Sequence, residues 1–168
     1  MSNTFFENLS QVEDKERGFV DLEKLAELEN IQVIYSKHKE YKDIFSGLIK
    51  IVDSRYVIII NGDHSHNRKR FTLAHELAHY FLHKEKIEKA AIVDDALYRS
   101  GLANDNIEVA ANKFASKILM PEALVSFHIN EAKKLNIIDI AGILNYVAEK
   151  LQVSKQALAI KIGVPFDN

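Results

Sequence analysis

The chain contains no cysteine among its 168 residues. It can therefore form neither a disulfide framework nor a thiolate metal site, so any bound metal must be held by histidine and carboxylate side chains. Long apolar runs are also missing, because the longest strong run, residues 57–60, has four residues, far short of the roughly 18 that a membrane span needs. These absences exclude a disulfide-stapled secreted domain and argue against a membrane partner.

Neither positive nor negative charge dominates the composition. The chain has 22 Lys and Arg against 24 Asp and Glu, a formal net charge of −2, which provides no general attraction to a phosphate backbone. Residues 1–17 are polar and acidic, where a secretory signal has a basic start and an apolar core. We therefore expect a cytoplasmic globular protein for which direct DNA binding is not indicated.

The local patterns predict an α+β fold. After a lead-in over residues 1–17, Asp21 can cap a helix, and residues 31–35 alternate like a strand. Residues 48–52 and 56–60 are rich in β-branched side chains and are expected to form a hairpin. The chain from about residue 70 onward is expected to be almost entirely helical. We therefore predict a short antiparallel sheet of about three strands packed on a mainly helical body.

The predicted helix over residues 70–84 contains the motif His75-Glu76-x-x-His79. Two histidines four residues apart on a helix point the same way, one turn apart, so both can reach one metal ion. Glu76, beside them, is the candidate to activate a water molecule. The opposite side of the helix is apolar, which gives it a core face and a reactive face. The alternative is that these histidines form only a solvated polar face.

A catalytic zinc site usually has three protein ligands and an open position. A third histidine ten positions after the first, preceded by a glycine turn, is excluded because the chain has Leu82 and Glu85 there. His83 lies about 12 Å from His75 along the same rigid helix. His83 is therefore better suited to contact a metal-binding side chain or the substrate than to bind the metal directly.

Glu108 is the stronger candidate for the third ligand. It shares the edge of an apolar helical stripe with Asn112, one turn later, and Ala111 and Ala115 are small enough for close helix contact. Asn112 can orient a metal-binding side chain through a hydrogen bond. The alternatives are a surface glutamate and a surface asparagine beside the stripe.

Three segments together resemble the ImmA/IrrE metallo-endopeptidases: a strand ending in IIIN, RKRFTLAHELAHYFLH directly after it, and EVAANKFASKILMP downstream, over roughly residues 22–125. The resemblance implies a small zincin-like domain with a gluzincin-like site. There His75, His79 and Glu108 bind one Zn²⁺ per chain, and Glu76 is the catalytic acid and base. Two positions depart from the family's common residues, since Ala78 replaces a glycine and Ile118 a leucine.

The resemblance also implies a substrate, a helix-turn-helix repressor of the Xre type. Its cleavage would switch on stress-response or mobile-element and prophage genes. The alternative function is a non-catalytic regulator that uses the retained fold to bind a DNA-binding partner or DNA.

We expect residues 1–125 to form the zinc metallopeptidase domain. Residues 126–168 are expected to form a helical C-terminal region that resembles a helix-turn-helix, with Ser154 as a helix N-cap. Its second helix has few of the basic and amide side chains that read a DNA groove. We therefore expect it to pack on the catalytic domain or to contact the substrate.

Two parts of a protease site are left open by the sequence. A donor that stabilises the oxyanion is required, and the chemically eligible side chains are Tyr80, His83, Tyr98, His64 and Arg70. The hairpin over residues 48–60 precedes the active helix, so one edge strand could pair with an extended substrate segment.

Overall fold

The computed structural model describes residues 3–14, 18–37, 46–93 and 105–166. Within these ranges the chain forms seven helices and five strands. In chain order they are α1 Asn3–Val12, β1 Glu13–Asp14, β2 Phe19–Val20, α2 Leu22–Leu28, β3 Gln32–Ser36, β4 Gly47–Val52, β5 Arg55–Asn61, α3 His66–Val93, α4 Asp105–Leu119, α5 Glu122–Lys134, α6 Ile140–Leu151 and α7 Lys155–Ile162. The predicted α+β class is confirmed.

The three-stranded sheet has the order β3-β5-β4. β4 and β5 form the predicted hairpin, and its two turn residues, Asp53 and Ser54, have φ values of 48° and 63°, a left-handed pair that matches the twist of the strands. The expectation that the sheet is antiparallel throughout is wrong, because β3 pairs parallel to β5. Through the hairpin, β4 occupies one edge of β5, so β3 pairs with the other edge. There β3 runs in the same direction as β5.

Within the lead-in, residues 3–12 form a helix that packs on the rest of the fold. Its helix α1 buries Phe5 and Val12. The Phe5 ring lies 4.6 Å from that of Phe81 and 5.0 Å from that of Phe114. These contacts attach α1 to both α3 and α4. The predicted cap of α2 is confirmed, since the Asp21 side chain accepts a hydrogen bond from the Lys24 backbone N–H at 2.9 Å.

Helix α3 is the centre of the molecule and packs against both β4 and α4. Leu73 and Leu77 on its core face are fully buried. The facing residues of α4, Ala111 and Ala115, are also fully buried, and their small side chains allow the two helices to approach closely. The helix is longer than predicted, and its backbone leaves helical geometry at His83, where φ is −131° and ψ is 23°.

The C-terminal helices contact the start of α3. Asn67 donates a hydrogen bond from Nδ2 to the Val153 carbonyl at 3.1 Å, and His66 Nε2 lies 2.9 Å from Gln152 Oε1. The predicted Ser154 cap of α7 is confirmed by its acceptance of the Ala157 N–H at 3.1 Å. Across the described ranges, no helix is both long and apolar enough to cross a lipid bilayer.

Candidate metal centre

Three potential ligand atoms converge where α3 faces α4. His75 and His79 lie one turn apart on α3, and their Nε2 atoms are 3.0 Å apart. Glu108 of α4 places Oε2 at 3.2 Å from His75 Nε2 and Oε1 at 3.3 Å from His79 Nε2. The structure therefore brings together the three residues that the sequence indicated as metal ligands.

The other ring nitrogen of each histidine also has a partner. His75 Nδ1 lies 2.9 Å from Asn112 Oδ1, and His79 Nδ1 lies 3.1 Å from His83 Nδ1. An amide oxygen only accepts, so His75 donates through Nδ1–H. If His79 donates to His83 in the same way, both Nε2 lone pairs point at Glu108. This is the tautomer that metal-binding histidines adopt.

This arrangement fits a cation. Three acceptors that face one another at 3.0–3.3 Å repel one another unless a positive charge lies among them. Ligands placed tetrahedrally at about 2.05 Å from a zinc ion are about 3.3 Å apart. The His79 side chain is 4% exposed and that of Glu108 is 38% exposed, so the cluster has one side open to solvent.

Burial keeps His79 neutral. Burial is the main cause, and the nearby imidazoles of His75 and His83 add to it, so that together they lower the pKa of His79 to about 3. A neutral imidazole has a free lone pair, so a metal need not displace a proton from His79 at neutral pH.

Glu76 lies on the side of α3 that faces β4. It is 7% exposed, and its pKa is raised to about 8, mainly by burial and also by the charge of Glu108. A hydrogen bond from the Ile49 backbone of β4 opposes part of this rise. The carboxyl is thus held beside the cluster and has an unusually high affinity for a proton.

Gly47, at the start of β4, is a site residue that the sequence analysis missed. A Cβ atom at this position would lie 2.4 Å from Thr72 Cγ2 and 3.3 Å from Glu76 Oε1. The absence of a side chain therefore allows β4 to lie against the reactive face of α3. A glycine at the start of a β-branched segment was the available signal, since such glycines often mark a close approach.

Two eligible oxyanion donors lie elsewhere. Tyr80 and Arg70 are each five residues from His75, about 140° around the helix. The Tyr80 ring packs 4.9 Å from that of Tyr56, and Arg70 donates from Nη2 to the Val20 carbonyl at 3.0 Å. Both side chains therefore connect α3 to other parts of the fold.

The remaining candidate oxyanion donors are His83, His64 and Tyr98. His83 contacts His79, as described. His64 lies in the turn before α3, where its backbone N–H donates to the Asn61 carbonyl at 3.4 Å. Tyr98 lies outside the described residues.

The comparisons with known proteins agree with this geometry. A family model described as Peptidase_M78, the IrrE N-terminal-like domain, matches residues 26–162, about four fifths of the 168-residue chain. The matched span includes the whole cluster and also the helices α5, α6 and α7. A search of curated proteins found no match.

Proposed function

Because the chain belongs to the Peptidase_M78 family of metallopeptidases, we propose that it is a zinc-dependent endopeptidase with His75, His79 and Glu108 as its metal ligands. The observation that carries this proposal is the convergence of two imidazoles and one carboxylate at 3.0–3.3 Å, with the buried carboxyl of Glu76 beside them. Hydrolysis needs this fourth group, whereas metal binding alone does not.

Zinc, when bound, would supply a Lewis acid that polarises a carbonyl and lowers the pKa of water to about 7. The residues of the chain perform the other tasks. Asn112 and His83 orient the two imidazoles by their hydrogen bonds, and the open side of the cluster admits water and substrate. Burial of His79 and Glu76 limits the contact of these two side chains with bulk water.

Glu76 is the proposed proton carrier. Its carboxylate accepts the proton of the attacking water as the water oxygen bonds to the scissile carbonyl carbon. The same carboxyl then donates this proton to the amide nitrogen as the C–N bond breaks. The raised pKa of Glu76 belongs to the metal-free protein. The positive charge of a bound metal would lower it and so favour the carboxylate that the first transfer needs, and the Ile49 hydrogen bond holds the carboxyl in place.

The free edge of β4 is the proposed binding site for the substrate backbone. The Ser46 carbonyl accepts from the Asn61 N–H at 2.9 Å. The main-chain groups of Ser46, and of every second residue after it, therefore point towards β5. The main-chain groups of Gly47, Ile49 and Ile51 therefore point to the opposite edge, and among the described strands none pairs there. The backbone of Ile49 donates to Glu76, so the groups left for a peptide are those of Gly47 and Ile51 and the Ile49 carbonyl. An extended peptide can add to such an edge by main-chain hydrogen bonds.

We further propose that the natural substrate is a cytoplasmic helix-turn-helix repressor of the Xre type. Its cleavage would derepress stress-response or mobile-element genes. The resemblance of the IIIN, RKRFTLAHELAHYFLH and EVAANKFASKILMP segments to ImmA/IrrE proteases supports this substrate. Net charge, at −2, gives no support to direct DNA binding by the protease.

Metal analysis and a cleavage assay test the proposal. The purified protein should contain about one equivalent of zinc. Glu76→Gln should retain the metal and lose cleavage of the repressor encoded beside the protease gene, whereas Glu85→Gln, at an exposed position on the same helix, should retain both. Cleavage by the Glu76→Gln protein would refute the mechanism. Unchanged zinc content in His75→Ala would refute the site.

A further inference from the structure

An exposed aromatic ring and a cation lie on α3 on the N-terminal side of the metal cluster. Arg68, Phe71 and His75 are spaced three and four residues apart, so they share one face of the helix. Phe71 is 39% exposed, and its ring centroid is 6.2 Å from that of His75. Arg68 is also exposed.

Two neighbouring elements flank this stripe. On one side, Arg68 donates from Nη2 to Ser46 Oγ at 3.1 Å, directly before β4 begins. On the other side, Asn112 of α4 lies against His75. A peptide that follows the free edge of β4 past the cluster therefore passes over Phe71 and Arg68.

Both side chains have unused binding capacity. The core face of α3 is formed by other residues, so the exposed surface of Phe71 is available to an apolar side chain. A guanidinium has five N–H donors, and Ser46 uses one of those on Arg68. In the part of the chain that the structure describes, no carboxylate forms an ion pair with Arg68. An acidic side chain would complement it with charge-assisted hydrogen bonds.

We propose that Phe71 and Arg68 select the substrate sequence on one side of the cleaved bond, with an apolar side chain on Phe71 and an acidic side chain on Arg68. This inference rests on the proposed protease function and specifies its substrate class. Along α3, Phe71 and Arg68 lie about 6 Å and about 10 Å from His75. An extended peptide advances about 3.3 Å per residue. The apolar residue is therefore about two positions, and the acidic residue about three to four positions, from the cleaved bond.

The test uses the zinc-loaded full chain and a library of internally quenched peptides with randomised sequences, whose cleavage sites are read by mass spectrometry. The wild type should prefer Asp or Glu over Lys or Arg about fivefold at one position three or four residues from the cut. Arg68→Glu should reverse this preference. Arg55→Glu, which changes an exposed arginine at the far end of the hairpin, should leave it unchanged.

Phe71→Ala should remove the apolar preference near the cut, whereas Phe127→Ala, at a 47% exposed phenylalanine of α5, should not.

A binding measurement complements cleavage. In the Glu76→Gln background, fluorescence anisotropy should show that Arg68→Glu weakens binding of the preferred acidic peptide about fivefold.

The outcomes separate the two proposals. If the zinc-loaded wild type cleaves no peptide and no repressor, the protease function is refuted and this inference falls with it. If it cleaves with a charge preference that Arg68→Glu does not change, only the present inference is overturned. The same holds if the Glu76→Gln protein binds the acidic peptide equally well with and without Arg68→Glu.

Discussion

The buried carboxyl of Glu76 makes the stability of the metal-free protein depend on pH. Its pKa is about 8 in the folded chain, against an ordinary value of 4.5. The folded state therefore binds the proton more tightly than the unfolded state, so this contribution to stability is fully present below pH 4.5 and is lost as pH rises towards 8. One pKa unit corresponds to about 1.4 kcal/mol. The free energy of unfolding should thus lose about 3 kcal/mol from this group between pH 4.5 and 7.

Glutamine has no proton to lose, so Glu76→Gln should escape this loss. Urea denaturation of the chelator-treated proteins at pH 5, 6, 7 and 8 measures the difference. The stability of the variant relative to wild type should increase with pH, while that of Glu85→Gln should stay constant. The lowered pKa of His79 destabilises the fold only as pH falls below about 6.5, and equally in both proteins. A pH-independent difference between Glu76→Gln and wild type would refute the buried, protonated carboxyl.

Three further substitutions test the packing around the site. Asn112→Ala removes the hydrogen bond to His75 and should lower zinc affinity about 10- to 100-fold in a chelator competition; unchanged affinity would contradict the orienting role. Gly47→Ala places a methyl group 2.4 Å from Thr72 Cγ2 and should cost about 1–3 kcal/mol in urea denaturation; full stability would show that β4 is not held against α3. Leu77→Ala empties a fully buried position and should cost about 2–5 kcal/mol, whereas a smaller loss would place Leu77 outside the tightly packed core.

The helices of the site could be predicted because their patterns are local. In α3 the apolar residues recur with the helical period, which separates the core face from the face that bears His75 and His79. In α4 the same period places Glu108 and Asn112 together at the edge of the apolar stripe. The small residues Ala111 and Ala115 indicated a close helix neighbour, and α3 is that neighbour.

The remaining features depend on contacts between distant segments. The β-branched alternation of β3 predicts a strand but does not specify which edge of β5 it joins, and hence not its direction. The hydrogen bond between Ile49 and Glu76 joins a strand to a helix across 27 residues of sequence. Burial of Glu76, which raises its pKa, results from this tertiary contact and is not encoded in the five-residue motif.

The division of the proposed ligands between two helices would give a bound metal a mechanical role. His75 and His79 belong to α3, whereas Glu108 belongs to α4. An ion bound by all three would therefore link the two helices across their interface. Any ligand that binds only the folded state stabilises it in proportion to RT ln(1 + [L]/Kd). Free zinc in the compartment would therefore govern two quantities together, the fraction of molecules able to cleave and the fraction of molecules that are folded.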